Sequence, residues 1–203
     1  SSSGEGATTG GDGDISARRR QDANKTGSRW GGGLGGLLGR WLDRLFGLGL
    51  GTLLAADGTQ LDSSQDVNVV NTVSLAGNLN IGGSHDITLG GLVNVAGSLT
   101  KNGAGNLVLN GANSYLGGTV LNAGSLTVGN ALALGTGSLT VGGAASLASN
   151  TAVALGNSVN LGANLTVSGA SALGLNGVVS GNGGLIKTGS GNLTLSAANT
   201  YSG

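Results

Sequence analysis

Few residues in this chain could do chemistry, and they are thinly spread. His85 and Asp86 are adjacent, and from Ile87 to Gly203 the charged side chains are Lys101 and Lys187 alone. That long span holds no Asp, Glu, His, Arg or Cys. General acid and base catalysis, nucleophile activation and metal binding all draw on those residue types. A lyase or glycosidase would need paired carboxylates along its flank, and the span has none. Neighbouring residues on a strand point to opposite faces, so His85 and Asp86 cannot converge on one ligand and read as a solvated turn. The GxGN strings at Gly103 and Gly189 lack the downstream helix and acidic residue of a nucleotide fingerprint, and they read as corners. Lys101 and Lys187 read as side chains lying over an exposed surface, and Asn113, Asn199, Tyr115 and Tyr201 as loop or ladder residues. The expectation is no catalytic, cofactor-binding or metal-binding residue, no cofactor, and no enzymatic activity.

Composition extends these exclusions. The 203 residues include 44 Gly and no Pro, Cys or Met, with 9% charged and 2% aromatic residues. The apolar fraction is carried by Leu, Val and Ala, so any core is aliphatic and built from many small contacts. A formal net charge of zero removes the basic footprint that nucleic-acid binding needs. Without Cys there are no disulfides and no thiolate metal sites, which suits a chain that must cross membranes unfolded. No stretch of about 18 uncharged apolar residues is present to span a bilayer.

The elements that would position these residues fall into three regions. Residues 1–29 are rich in Ser, Gly, Thr and Asp, then basic at Arg18, Arg19, Arg20, Lys25 and Arg29. With so few apolar groups the segment is expected to be disordered and its basic run solvated. Residues 30–56 are rich in Gly and Leu. There Leu34, Leu37, Leu38, Trp41, Leu42, Leu45 and Phe46 recur at helical spacing, which predicts a short amphipathic helix. Such a helix could cap the open end of a repeat stack. The stretch also has signal-peptide features, a basic segment ahead of an uncharged run from Leu45 to Ala56. Arg40, Asp43 and Arg44 interrupt that pattern, and Leu54 stands where a small residue is wanted.

From Val67 onward the period becomes 2. Short units such as Leu79-Asn80-Ile81, Leu107-Val108-Leu109, Leu139-Thr140-Val141 and Leu165-Thr166-Val167 predict strands with one face in and one out. Alternation alone would also allow an antiparallel sandwich. The spacing decides: units starting at Val153, Val159, Leu165 and Leu173 step by 6, 6 and 8, as do those at Ile87, Val93, Leu99 and Leu107. Each set closes after 20 residues, the signature of a coil with three strands. Residues 57–203 are therefore expected to form an all-β parallel β-helix of about seven coils. Between Gly142 and Thr151 the chain reads GGAASLASNT, so its core should be thinnest around Leu147.

A larger repeat overlies the coils. Residues 97–117, GSLTKNGAGNLVLNGANSYLG, align without gaps on residues 183–203, GGLIKTGSGNLTLSAANTYSG. Lys101, Gly103, Gly105, Leu107, Leu109, Asn113, Tyr115 and Gly117 match Lys187, Gly189, Gly191, Leu193, Leu195, Asn199, Tyr201 and Gly203. This resembles the autotransporter-associated β-strand repeat, or passenger-associated transport repeat, of pattern K-x-G-x-G-x-L-x-L-x-x-x-N-x-Y-x-G. Residues 118–130, GTVLNAGSLTVGN, look like the family's usual continuation.

The resemblance implies a right-handed parallel β-helix, exported through the outer membrane of a Gram-negative bacterium and displayed or released there. It also implies a fragment, because the second copy stops where the continuation should begin, with a β-barrel translocator as partner beyond it. The expected role is a monomeric stalk with an adhesin function and an unidentified surface ligand. Two alternatives remain. Residues 151–162, TAVALGNSVNLG, resemble the Ala-Leu-Gly repeats of trimeric adhesin heads, whose cores need three chains. Or the chain is the stem of a passenger whose catalytic domain lies elsewhere.

Overall fold

The structure, a computed structural model, describes residues 51–203 and, as backbone, Ile15–Ala17 and Gly27–Ser28. Every regular element is a strand, and no helix occurs among the described residues. The strands form three faces. The first carries Thr59–Ser63, Asn78–Ile81, Ser98–Lys101, Thr119–Leu121, Leu139–Val141, Val159–Leu161 and Val179–Gly181 in sequence order. The second carries Val67–Val69, Ile87–Leu89, Asn106–Leu109, Ser125–Val128, Ala145–Ser149, Leu165–Val167 and Leu185–Lys187. The third is split into Thr52–Ala55, Val73–Leu75 and Val93–Asn94, then Val153–Leu155, Leu173–Leu175 and Leu193–Leu195.

All these strands pair in parallel, each with the strand one coil away, so the fold is a β-solenoid of about seven turns. Register follows the sequence interval: Leu79, Leu99, Thr119, Leu139, Val159 and Val179 stand directly over one another, 20 residues apart. On the second face the step from Leu107 to Leu126 is 19 and from Leu126 to Leu147 is 21, so the slip is corrected within one coil. Parallel pairing needs a long return path between neighbours, and the other two faces of the coil supply it.

Alternation buries every second side chain. Leu99, Leu107, Leu121, Leu139, Leu155 and Leu165 are fully buried and belong to one cluster running from Leu53 to Val179. Corners fall where glycine is required. Gly124, at φ 68°, turns under the carbonyls of Gly103 and Gly105, where a Cβ would meet both.

The solenoid starts earlier than residue 57. Thr52–Ala55 is a strand with Leu53 and Ala55 buried, so the end of the 30–56 stretch is part of the first coil. The continuous apolar run Leu53, Leu54 and Ala55 concealed its alternation. The helix expected over 34–46 and most of the segment expected to be disordered lie outside the described residues. Within that segment, Ile15–Ala17 pairs antiparallel with Thr59–Ser63, and Gly27–Ser28 pairs in parallel with Thr52–Ala55. The Ala-Leu-Gly string 151–162 supplies Val153–Leu155 and Val159–Leu161, whose Val153, Leu155, Val159 and Leu161 are buried in the solenoid core while Ala154 is exposed.

Candidate functional site

Of the two repeat lysines expected over the coil surface, Lys101 is built into the core, while Lys187 is exposed. Lys101 ends the strand Ser98–Lys101 and follows the alternation inward behind Leu99, leaving it 1% exposed. This corrects the expectation of a lysine lying over the coil. Its ammonium donates to the carbonyl of Gly103 in its own coil and reaches that of Ala123 in the next, at 3.4 Å. Burial pulls the Lys101 pKa below the ordinary lysine value, and the attraction of Asp86 partly opposes this.

Asn113 occupies the inward position that Val93 fills one coil earlier and Ala133 one coil later. Its Oδ1 accepts from the Val93 amide at 2.8 Å, and its Nδ2 donates to the Ala133 carbonyl at 2.7 Å. One buried side chain thus links three successive coils, the ladder role in its strongest form. Tyr115 is fully buried and its hydroxyl lies 2.6 Å from Thr119 Oγ1. Burial raises its pKa above the ordinary value of 10.0, and the Thr119 bond works weakly the other way.

The ring of Tyr115 needs room, and the coils on either side provide it. Twenty residues before it, Val95 has φ 73° and turns its side chain out, about half exposed; twenty after it stands Gly135, at φ 60°. A β-branched residue with positive φ is uncommon and costs backbone energy. Here the third-face sheet is interrupted: between Asn94 and Val153 it contains no strand, and residues 131–134 form a turn.

The second copy repeats this arrangement on different faces. Lys101 and Lys187 are 86 residues apart, four coils of 20 plus one step of 6, and a step of 6 is one face. The first copy therefore runs over faces one, two and three, with Ser98–Lys101, Asn106–Leu109 and then the Asn113 to Tyr115 segment. The second runs over faces two, three and one, with Leu185–Lys187, Leu193–Leu195 and then Asn199 to Tyr201 above Val179–Gly181. Its internal bonds are the same. Lys187 Nζ donates to Gly189 O at 2.6 Å, and Asn199 Oδ1 accepts from Val179 N at 2.8 Å. The residue one coil before Tyr201 is Gly181, at φ 104°, the counterpart of Val95. Lys187 lies on the last coil and is exposed.

The remaining candidates are corner residues. His85 and Asp86 are both exposed. His85 Nδ1 lies 3.6 Å from Asp66 Oδ1, while Asp86 Oδ1 accepts from the Asn106 amide at 2.9 Å, so the two do not converge. Asp66 in turn accepts from the Asp86 amide at 2.9 Å, which makes Asp66 and Asp86 successive rungs capping the coil that follows. Gly103 and Gly189 are corners, where a Cβ would collide with the carbonyls of Gly83 and Gly169. No group of three or more potential metal ligands occurs among the described residues. A shallow groove on the third face is lined by small residues, among them Ala152, Ala154, Ala172 and Gly174, and offers no ionisable group.

The family model of the passenger-associated transport repeat matches residues 99–128 and 185–203. The matches begin at Leu99 and Leu185, equivalent strand positions, and include Lys101, Asn113 and Tyr115 with Lys187, Asn199 and Tyr201. No curated protein and no solved structure matched the chain. Both matched segments lie within the parallel β-solenoid.

Proposed function

We propose that this chain forms part of the stalk of an autotransporter passenger, carried through the outer membrane of a Gram-negative bacterium by a β-barrel translocator. The reading rests above all on the two passenger repeats acting as fasteners between coils of a nearly uncharged solenoid. A passenger must travel unfolded and fold on arrival, without disulfides and by addition of one small unit at a time. Coils that each contact mainly their neighbours meet that demand.

Near-identical coils carry a hazard, because Leu over Leu or Val over Val is as favourable one coil out of register as in it. A buried Lys or Asn has partners only in the correct register, so a mis-stacked coil would leave a buried polar group unpaired at about 1–3 kcal/mol. The repeat therefore sets register as the solenoid grows. The stalk is read as non-enzymatic and single-chained, with an adhesin role exercised through its flank or a more distant tip.

The test is surface display. The chain is placed between a signal peptide and an autotransporter barrel in a Gram-negative host, and intact cells are treated with protease. Cleavage of the chain on intact cells is expected; retention in the periplasm would defeat the passenger reading. Displaying cells should also be retained on epithelial monolayers above cells carrying the barrel alone, and equal retention would remove the adhesin role.

A further inference from the structure

The likeness between the two repeat copies reaches well ahead of the segments that the family model matches. Residues 67–99, VNVVNTVSLAGNLNIGGSHDITLGGLVNVAGSL, align without gaps on residues 153–185, VALGNSVNLGANLTVSGASALGLNGVVSGNGGL, at the interval of 86 that also separates Lys101 from Lys187. Asn71, Val73, Leu75, Asn78, Leu79 and Gly91 recur as Asn157, Val159, Leu161, Asn164, Leu165 and Gly177. Each strand returns one face further round. Val73–Leu75 on the third face becomes Val159–Leu161 on the first, and Ile87–Leu89 on the second becomes Leu173–Leu175 on the third. Likeness between coils alone would keep each strand on its own face, because stacked neighbours are 20 residues apart. Rotation by a face marks a longer unit.

That unit holds an inward asparagine outside both matched segments. Asn157 is 7% exposed, and its Nδ2 donates to the Gly137 carbonyl at 2.7 Å and to that of Gly135 at 3.1 Å, both on the coil before. Asn71 is 8% exposed, and its Nδ2 donates to the Gly51 carbonyl at 2.7 Å. Gly51 and Gly137 are themselves 86 residues apart, so the bond is the same one repeated. On the coil after, Gly91 and Gly177 close down so tightly that a Cβ would collide with the carbonyls of Asn71 and Asn157. With Asn113 and its counterpart Asn199, these asparagines stand at steps of 42, 44 and 42 residues, one for about every two coils.

We propose that the stalk is built from an 86-residue unit, four coils and one face, in which Asn157 and its counterpart Asn71 are register-setting residues additional to those of the passenger repeat. The proposal rests on the reading that buried polar groups fix register as coils are added. Asn157 selects one register because it needs two acceptors, and the Gly135 carbonyl is presented by a backbone at φ 60°. One coil out of register, the place of Gly135 falls to Tyr115, whose φ is not positive, and the second acceptor is not presented there. Aliphatic neighbours offer no such choice: Leu161 would pack on Leu121 as well as on Val141, its partner.

The chain contains no Cys, so engineered pairs can report register. Thr140 and Asn160 are outward cross-strand partners, and Val120 lies one coil further, about 10 Å from Asn160. The full chain is made as Thr140→Cys/Asn160→Cys and as Val120→Cys/Asn160→Cys, and each is refolded by dilution from urea into dibromobimane, which fluoresces on bridging two adjacent thiols. The 140–160 pair should bridge and the 120–160 pair should stay at background. Adding Asn157→Ala should raise the 120–160 bridge by about fivefold or more, since the slipped chain no longer buries an unsatisfied amide. Leu161→Ala, which weakens the same strand without touching a polar partner, should leave that bridge at background. An equal rise with Leu161→Ala, or none with Asn157→Ala, would overturn the register role.

The unit is tested by exchanging residues 153–163 for either of two segments, each with Cys at 160. Residues 67–77 come from 86 positions earlier and bring Asn71 to 157; residues 73–83 come from 80 positions earlier and bring Gly77 there, while both supply aliphatic residues at 153, 155, 159 and 161. The first exchange should keep the 120–160 bridge at background and the second should raise it. Equal bridging by the two would make the single coil the unit and overturn the proposal. Refolding in solution decides this separately from whether the chain reaches the cell surface.

Discussion

Replacing Leu147 by Ala should open the solenoid locally and leave its two halves folded. Leu147 is fully buried on the second face, stacked between Leu126 and Val167. Its strand, Ala145–Ser149, points three residues inward, and the other two are Ala145 and Ser149. Ser149 is held by a hydrogen bond from its hydroxyl to the Ala172 carbonyl at 3.2 Å, so it adds polar anchoring and little apolar volume. The neighbouring strands contribute two large side chains each, Leu126 with Val128 and Leu165 with Val167. Leu147 is thus the sole large apolar side chain of its strand. Its truncation removes the transfer energy of the lost atoms and leaves a cavity that rigid coils above and below cannot close. The cost is about 2–5 kcal/mol, toward the upper end for a site with so little around it to collapse. Coils contact mainly their neighbours, the bond from Asn150 Nδ2 to Asn110 Oδ1 at 2.9 Å being one that skips a coil, so the loss should chiefly weaken coupling around this strand. The assay is native-state hydrogen exchange. Amides from Ala144 to Thr151 should exchange faster, while those around Leu107 and Leu165 remain protected. Uniform deprotection along the chain would mean a single cooperative core and refute the reasoning.

Three further outcomes are expected. Lys101→Ala should destabilise by about 2–4 kcal/mol, because it strips a buried stem and leaves the Gly103 and Ala123 carbonyls without their donor, whereas Lys187→Ala should stay within about 0.5 kcal/mol; urea denaturation of the two variants compares them. Asn113→Ala should cost about 2–5 kcal/mol, since both the Val93 amide and the Ala133 carbonyl lose their partner, and exchange at the Val93 amide should rise first. Tyr115 keeps its proton in the folded chain at pH values where an unfolded tyrosine ionises, so the unfolded state binds fewer protons and stability falls as pH rises above about 10. The fall is at most about 1.4 kcal/mol per pH unit, and Tyr115→Phe should remove that component in a comparison of denaturation midpoints between pH 9 and 11.5.

Much of this fold was legible because a solenoid is written locally. Units starting at Val153, Val159 and Leu165 are the strands Val153–Leu155, Val159–Leu161 and Leu165–Val167, and the 20-residue interval at which such units recur is the pairing register. The clasp was harder to see. A lysine is usually exposed, and that expectation outweighed the alternation of Ser98, Leu99, Thr100 and Lys101, which places Lys101 inward beside Leu99. Asn113 and Tyr115 also alternate with exposed Ser114, yet a polar residue at an inward position becomes intelligible only with its partners one coil away. Thr52–Ala55 was hidden because every residue after Thr52 in that strand is apolar, so no period could be read from it.

The offset of the two repeats by one face bears on how such a shaft answers to load. Were every fastener on the same side, that side would be stiff and the opposite side would be a seam, along which shear could start a tear. The two copies, 86 residues apart, are rotated by about a third of a turn, so their fasteners stand on different faces of the shaft. A tear started by shear along one face therefore runs into the fastener of another.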